Sequence, residues 1–146
     1  MSELRERLGV GEMRGKVIDD ACRVLDEEVA DKSGLGGIAV KAAYALVKGI
    51  KPGFIRQAVD HLLNEFLDAT DPFVTEARSK NMKPGALILS DRSRMANALL
   101  AVTDKRLERA ESGAVRKTYE KLRPAAQKHV EAAAPRIAGL LDKFTA

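Results

Sequence analysis

Few side chains in this 146-residue chain stand where they could do chemistry together. His61 and Glu65 lie four apart, one turn along a helical face, which is half of what a metal site in a helical bundle needs. The other half is missing. His129, the second of two histidines, has no acidic residue at matching spacing. A single Cys and no His-Glu-x-x-His pattern disfavour zinc as well, so no metal or cofactor is expected. The pair therefore reads as polar surface beside Leu62 and Leu63. Cys22 falls between Ile18 and Leu25 on an apolar stripe, where a thiol behaves as a small, unreactive hydrophobe. Gly34-x-Gly36-Gly37 opens a helix and could offer backbone N–H groups to a phosphate, but it lacks the strand and the Lys-Ser/Thr of a P-loop. Six carboxylates between Asp19 and Asp31 spread around one helix without the ligand order of a calcium loop. They read as a solvated face. Cys22, His61 and Glu65 are the only nameable catalytic candidates, and the expectation is that the chain is not an enzyme.

The basic C-terminal third carries the strongest remaining signal. Residues 1–32 hold 6 basic and 9 acidic side chains, whereas residues 105–146 hold 10 basic and 5 acidic. The net charge of +4 is thus split into an acidic front and a basic back. Lys117, Lys121 and Lys128 are spaced to line one helical face, with Arg116 and Arg123 beside them. Such a stripe suits contact with phosphates or another anionic surface without base readout. Glu120, between Arg116 and Arg123, suggests local ion pairing instead. Tyr119 is spaced with Val115 and Leu122, on the core side. Pairing between the two ends of the chain is a second outlet for the charge.

The elements that position these residues follow from periodicity and breaks. Residues 2–8 form a short helix or arm stopped by Gly9 and Gly11, so 1–11 can stand apart from a single domain spanning 1–146. Residues 12–32 form an amphipathic helix with Ile18, Ala21, Cys22, Leu25 and Val29 on one stripe. Residues 35–50 are apolar except for Lys41, Tyr44 and Lys48 on one narrow edge. A helix apolar over most of its circumference is normally buried, so this one is expected at the centre of the domain. Excised, the segment resembles a cationic membrane peptide, but its narrow polar edge favours the core over a membrane surface. Lys51-Pro52-Gly53 breaks the chain before a stripe of Ile55, Val59, Leu62, Leu63, Phe66 and Leu67. Asp71-Pro72 reads as an N-cap and first position of a new short helix, ended by Asn81. A second Lys-Pro-Gly at 83–85 is shared turn chemistry, since the flanking sequences do not repeat. Ala86–Leu89 has no strand partner and is expected to open a helix or pack as a buried turn. Residues 90–110 are helical with Met95, Leu99 and Val102 inward. Ser112-Gly113, Pro124 and Pro135 divide the rest, each proline starting a helix or kinking a longer one.

The composition agrees. Aromatics are 4% with no Trp, and alanine is about one residue in seven, which suits closely packed helices and not sheets. One Cys excludes a disulfide scaffold. The first eight residues have no apolar signal region, and no run is long enough to span a bilayer. A cytoplasmic, soluble, all-α protein is expected: a compact bundle of six to eight helices around the apolar helix at about 35–50.

Three strings carry a resemblance: Lys32-Ser33-Gly34-Leu35 through Ile50-Lys51-Pro52-Gly53-Phe54, then Leu99-Leu100-Ala101-Val102-Thr103-Asp104, and Tyr119-Glu120-Lys121-Leu122-Arg123-Pro124. The chain resembles a group of small bacterial proteins classed only as a domain of unknown function. The resemblance implies a bacterial, stand-alone, all-helical protein and brings no functional residue with it. Three roles follow. The first is a protein-interaction or structural module, including a homodimer. The second is nucleic-acid or anionic-surface binding through Arg116, Lys117, Lys121, Arg123 and Lys128. The third is a carrier of hydrophobic ligands or lipids, with a cavity between alanine-rich helices.

Overall fold

A computed structural model describes residues 2–146, so Met1 of the candidate N-terminal arm lies outside the described residues. Among the described residues there are eight helices: α1 Glu3–Leu8, α2 Gly11–Asp31, α3 Gly34–Lys48, α4 Phe54–Ser79, α5 Pro84–Ser90, α6 Arg92–Glu108, α7 Gly113–Ala132 and α8 Ala134–Thr145. No strand occurs among the described residues. The fold is all-α, as its periodicity predicts, and among those residues no helix is long and apolar enough to cross a membrane.

The central element is α4, not α3. It runs for 26 residues and packs against α1, α2, α3, α5 and α6. Leu63, Leu67, Thr70, Phe73, Val74 and Ala77 recur at three- and four-residue steps and are buried along it. Asp71-Pro72 does not start a helix here, because Pro72 lies inside α4. Pro72 has no N–H to give the carbonyl one turn back, a loss that burial of the flanking residues offsets. The Asp71 carboxylate caps a different helix: it accepts the Leu4 N–H at 3.2 Å, an otherwise orphaned donor at the start of α1. Asp68 accepts from Ser2 Oγ at 2.6 Å and from Arg5, so α1 is fastened to α4 by its backbone and its side chains. Leu4 and Leu8 lie in the core, and α1 is part of the packed body.

The expectation that residues 35–50 form the buried centre fails. In α3 only Gly37 is buried, while Leu35 is 89% exposed and Leu46 75%. Its main neighbours are α2 and α4 on one side. The physical reason is geometric. An apolar helix has no preferred azimuth, and the core position goes to the longer α4, whose stripe is answered by five partners. A β-carbon on Gly37 would stand 2.7 Å from the Lys32 backbone, so glycine sets how closely α3 folds back on the end of α2.

Turn chemistry behaves as read elsewhere. Gly53, at φ +76, starts α4 in the left-handed region, and Asn81, at φ 54, ends the turn after it. The two Lys-Pro-Gly triplets do different jobs, since Pro84 lies in the first turn of α5. Leu87 and Ile88 of α5 are buried, and the Gly85 N–H donates to Asp142 Oδ1 of α8 at 2.8 Å. Pro135 starts α8, whereas Pro124 lies inside α7.

Candidate functional site

The core is tight at one end and open at the other. Phe73, Ala77, Ile88, Met95 and Ala96 are at most 2% exposed where α4, α5, α6 and α8 meet. Toward the opposite end the helices diverge around a cleft of about 530 Å³. The accessible surface, 8791 Å², exceeds the roughly 7,400 Å² typical of a compact chain of this mass. The chain therefore leaves apolar area uncovered that a filled bundle would bury.

The cleft is built from the same stripes that predict the helices. Ala21, Val24, Leu25 and Val29 of α2 form one wall. Val59, Leu63, Phe66 and Leu67 of α4 form another, with Leu99 and Leu100 of α6 beside them. Ala126 and Val130 of α7, and Ile137, Leu140 and Phe144 of α8, complete it, while α3 contributes Val40. Small side chains at Ala21, Ala126 and Ala133 stand where larger ones would fill the space. The polar groups that reach the wall are mostly engaged. Thr70 Oγ1 donates to the Phe66 carbonyl at 3.0 Å, and Thr103 Oγ1 to the Leu100 carbonyl at 2.9 Å. Glu28 is held by Arg136 at 2.8 Å and by Lys32 at 3.4 Å. His129 is the remaining polar side chain on the wall. A molecule in the cleft meets hydrocarbon almost everywhere.

The rim is locked by ion pairs between the acidic front and the basic back. Arg136 of α8 reaches Glu27 at 3.1 Å as well as Glu28 and Asp31, and its hydrogen bonds to Asp31 first and Glu28 second raise the guanidinium above its ordinary value. Lys143 hydrogen-bonds Asp20, and this contact first among others holds that carboxyl below the usual range. The two-ended charge pattern is thus partly internal pairing.

The five cations proposed as a binding face do not act together. Lys117, Lys121 and Lys128 lie exposed along the outer face of α7, with Arg116 exposed beside them. Arg123 is turned inward. Its Nε donates to Asp104 Oδ1 at 3.0 Å and its Nη1 to Gln127 Oε1 at 2.9 Å. Tyr119 donates to the same Asp104 carboxylate at 2.6 Å. Burial opposes the charge on Asp104, but the bonds from Arg123 and Tyr119 outweigh it, and its carboxyl lies below the usual range. Glu120 pairs with neither arginine among the described residues, because Arg123 takes its partner from α6.

The other candidates are also committed elsewhere. Glu65 takes a two-pronged contact from Arg106, at 2.7 and 3.3 Å, and His61 is exposed with its carbonyl on the same arginine. Cys22 is half-buried against the core, and burial pushes its thiol up. Of the glycines that open α3, Gly37 packs closely on Lys32 and Gly34 takes a left-handed φ of +72, while Gly36 has no close neighbour.

The sequence profile of a family described as "Family of unknown function (DUF6918)" matches residues 4–145. The chain belongs to this family. The match runs from α1 to α8, so the cleft and every helix around it lie inside the family's span. No curated protein matches the chain, and no solved structure does.

Proposed function

We propose that this family member is a non-enzymatic carrier, soluble in the bacterial cytoplasm, that holds an apolar small molecule in the cleft between α2, α4, α6, α7 and α8. One observation carries the reading: a cleft of about 530 Å³ whose wall is hydrocarbon and whose few polar groups are mostly paired already. That volume lies in the range of about 300–1,000 Å³ common to small-molecule sites. Sites of this kind bind by removing apolar surface from water, and specificity comes from shape. The ligand class is an aliphatic or lipid-like molecule, since the wall offers little to recognise polar groups. This places ligand binding ahead of the protein-interaction role that the sequence alone puts first. Phosphate binding along α7 is a weaker proposal, because Arg123 is engaged with Asp104.

The test is native mass spectrometry of freshly purified protein, followed by titration of delipidated protein with a fluorescent fatty acid. Copurified lipid, or saturable probe binding that raises Tm, is the expected result. Filling the cleft with Ala126→Leu and Ala133→Leu should weaken probe binding by about 10-fold or more. No probe binding by the delipidated protein, or unchanged binding by the filled variant, overturns the reading.

A further inference from the structure

The outer face of α3 has no use inside the molecule. At helical spacing Gly37, Val40, Tyr44 and Val47 turn toward the body, and these are its buried or half-buried residues. The opposite face presents Leu35, Ile38, Ala39, Ala42, Ala45 and Leu46, all exposed, and Ile50 continues it beyond the helix. Leu35, Ile38, Leu46 and Ile50 are each more than 60% exposed, far from the single scattered apolar residue that a surface ordinarily carries. Charge on this segment has one sign. From residue 33 to residue 59 there is no Asp or Glu, whereas Lys41, Lys48, Lys51 and Arg56 are basic. Arg56 is paired with Asp19, and Lys48 lies 3.6 Å from Asp26, the carboxylate that also accepts from Tyr44 on the inner edge. Lys41 and Lys51 are exposed and make no ion pair among the described residues.

We propose that the outer face of α3 docks on the surface of an anionic phospholipid bilayer, with Leu35, Ile38 and Leu46 in the acyl boundary and Lys41 and Lys51 among the headgroups. A helix of 15 residues with this exposure lies in the interface plane and does not span. Anionic headgroups attract the free lysines, and the apolar face supplies the rest of the binding. A second copy of the chain fits less well, since a two-fold interface sets the same face against itself and would oppose lysines with lysines. Docking does not depend on what the cleft holds. It brings Val40, on the inner side of α3 and on the cleft wall, next to the membrane.

The test is flotation of the full chain with vesicles of phosphatidylcholine alone or mixed with phosphatidylglycerol. Binding to the mixed vesicles that weakens with salt is expected. Ile38→Glu with Leu46→Glu should reduce that binding about 10-fold or more, while leaving the far-UV circular dichroism unchanged, since both sites are exposed. Lys41→Glu with Lys51→Glu should remove most of the difference between the two vesicle types. No flotation with anionic vesicles, or flotation unchanged in the Ile38/Leu46 variant, overturns the proposal. So does a wild-type dimer that the same variant dissolves, because the face is then a self-interface. Fatty-acid binding in vesicle-free buffer by the Ile38/Leu46 variant separates the two ideas. It tests the cleft and is blind to docking.

Discussion

The two ends of the bundle obey different rules. Where α1, α5 and α6 close on the second half of α4 and α8 packs on α5, side chains as large as Phe73 and Met95 are fully covered, and carboxylates cap neighbouring helices. Around the first half of α4, α3 buries one glycine and α7 buries nothing. The helices at the open end are as regular as those at the packed end. Helix formation and core formation are therefore separate achievements in this chain. The packed end holds the stability, and the open end keeps apolar area available for something else.

Large-to-small substitutions should divide the two ends most sharply. Phe73→Ala should cost about 3–5 kcal/mol in urea unfolding, whereas Leu140→Ala, on a wall that already faces space, should cost about 1 kcal/mol. Equal costs would mean that the cleft closes in solution. Small-to-large changes should run the other way. Ala77→Leu should destabilise by about 1–3 kcal/mol, and Ala126→Leu should be neutral or stabilise by up to about 1 kcal/mol. Gly85→Ala belongs with the packed end. Its β-carbon would stand 2.4 Å from Asp142 Oδ2 and 2.9 Å from the Ala138 carbonyl, so a loss of about 1–3 kcal/mol is expected.

Acid should sharpen the contrast with a smaller effect. Asp68 fastens α1 at the packed end, and Asp104 fastens α7 at the open end. In both, burial opposes the charge but hydrogen bonds and ion pairs outweigh it, so the folded carboxyl lies below its unfolded value. Their contribution is present above the unfolded value of about 4 and is lost as pH falls through the lower folded values. Thermal melts should therefore decline below about pH 4. Hydrogen exchange of Asp104→Asn should speed up in α7 and leave the α1 amides protected, whereas Asp68→Asn should do the reverse. The smallest effect is expected on the outer face of α7. Lys117→Glu with Lys121→Glu should change stability by no more than about 0.5 kcal/mol. Retention of DNA by the wild type in a gel shift at about 50 mM salt, lost in this variant, would revive the phosphate reading.

Much of this contrast was legible in the residues, and the illegible part has one cause. The stripes of α2, α4 and α6 and the breaks at Gly53, Asn81 and Ser112 follow from period and turn chemistry, which are local. The place of α3 is not local. Its circumference shows where apolar area lies but not which neighbours come to cover it. Asp71-Pro72 misleads for the same reason, because the carboxylate caps α1 across 67 residues of sequence. The cleft is harder still to read. A void belongs to no residue, and its only trace in the sequence is alanine at positions such as 21, 126 and 133 on otherwise large-residue stripes.

The tyrosines carry a practical consequence. The chain has no Trp and two Tyr. Both phenols belong to the open end, and each donates a 2.6 Å hydrogen bond to a carboxylate of the adjoining helix: Tyr44 of α3 to Asp26, and Tyr119 of α7 to Asp104. Burial first and the carboxylate second raise both phenols above their ordinary value. Intrinsic tyrosine emission is thus a private channel to α3 and α7. A carboxylate acceptor quenches a phenol, so loosening either helix should brighten the protein. The packed end is optically silent by comparison.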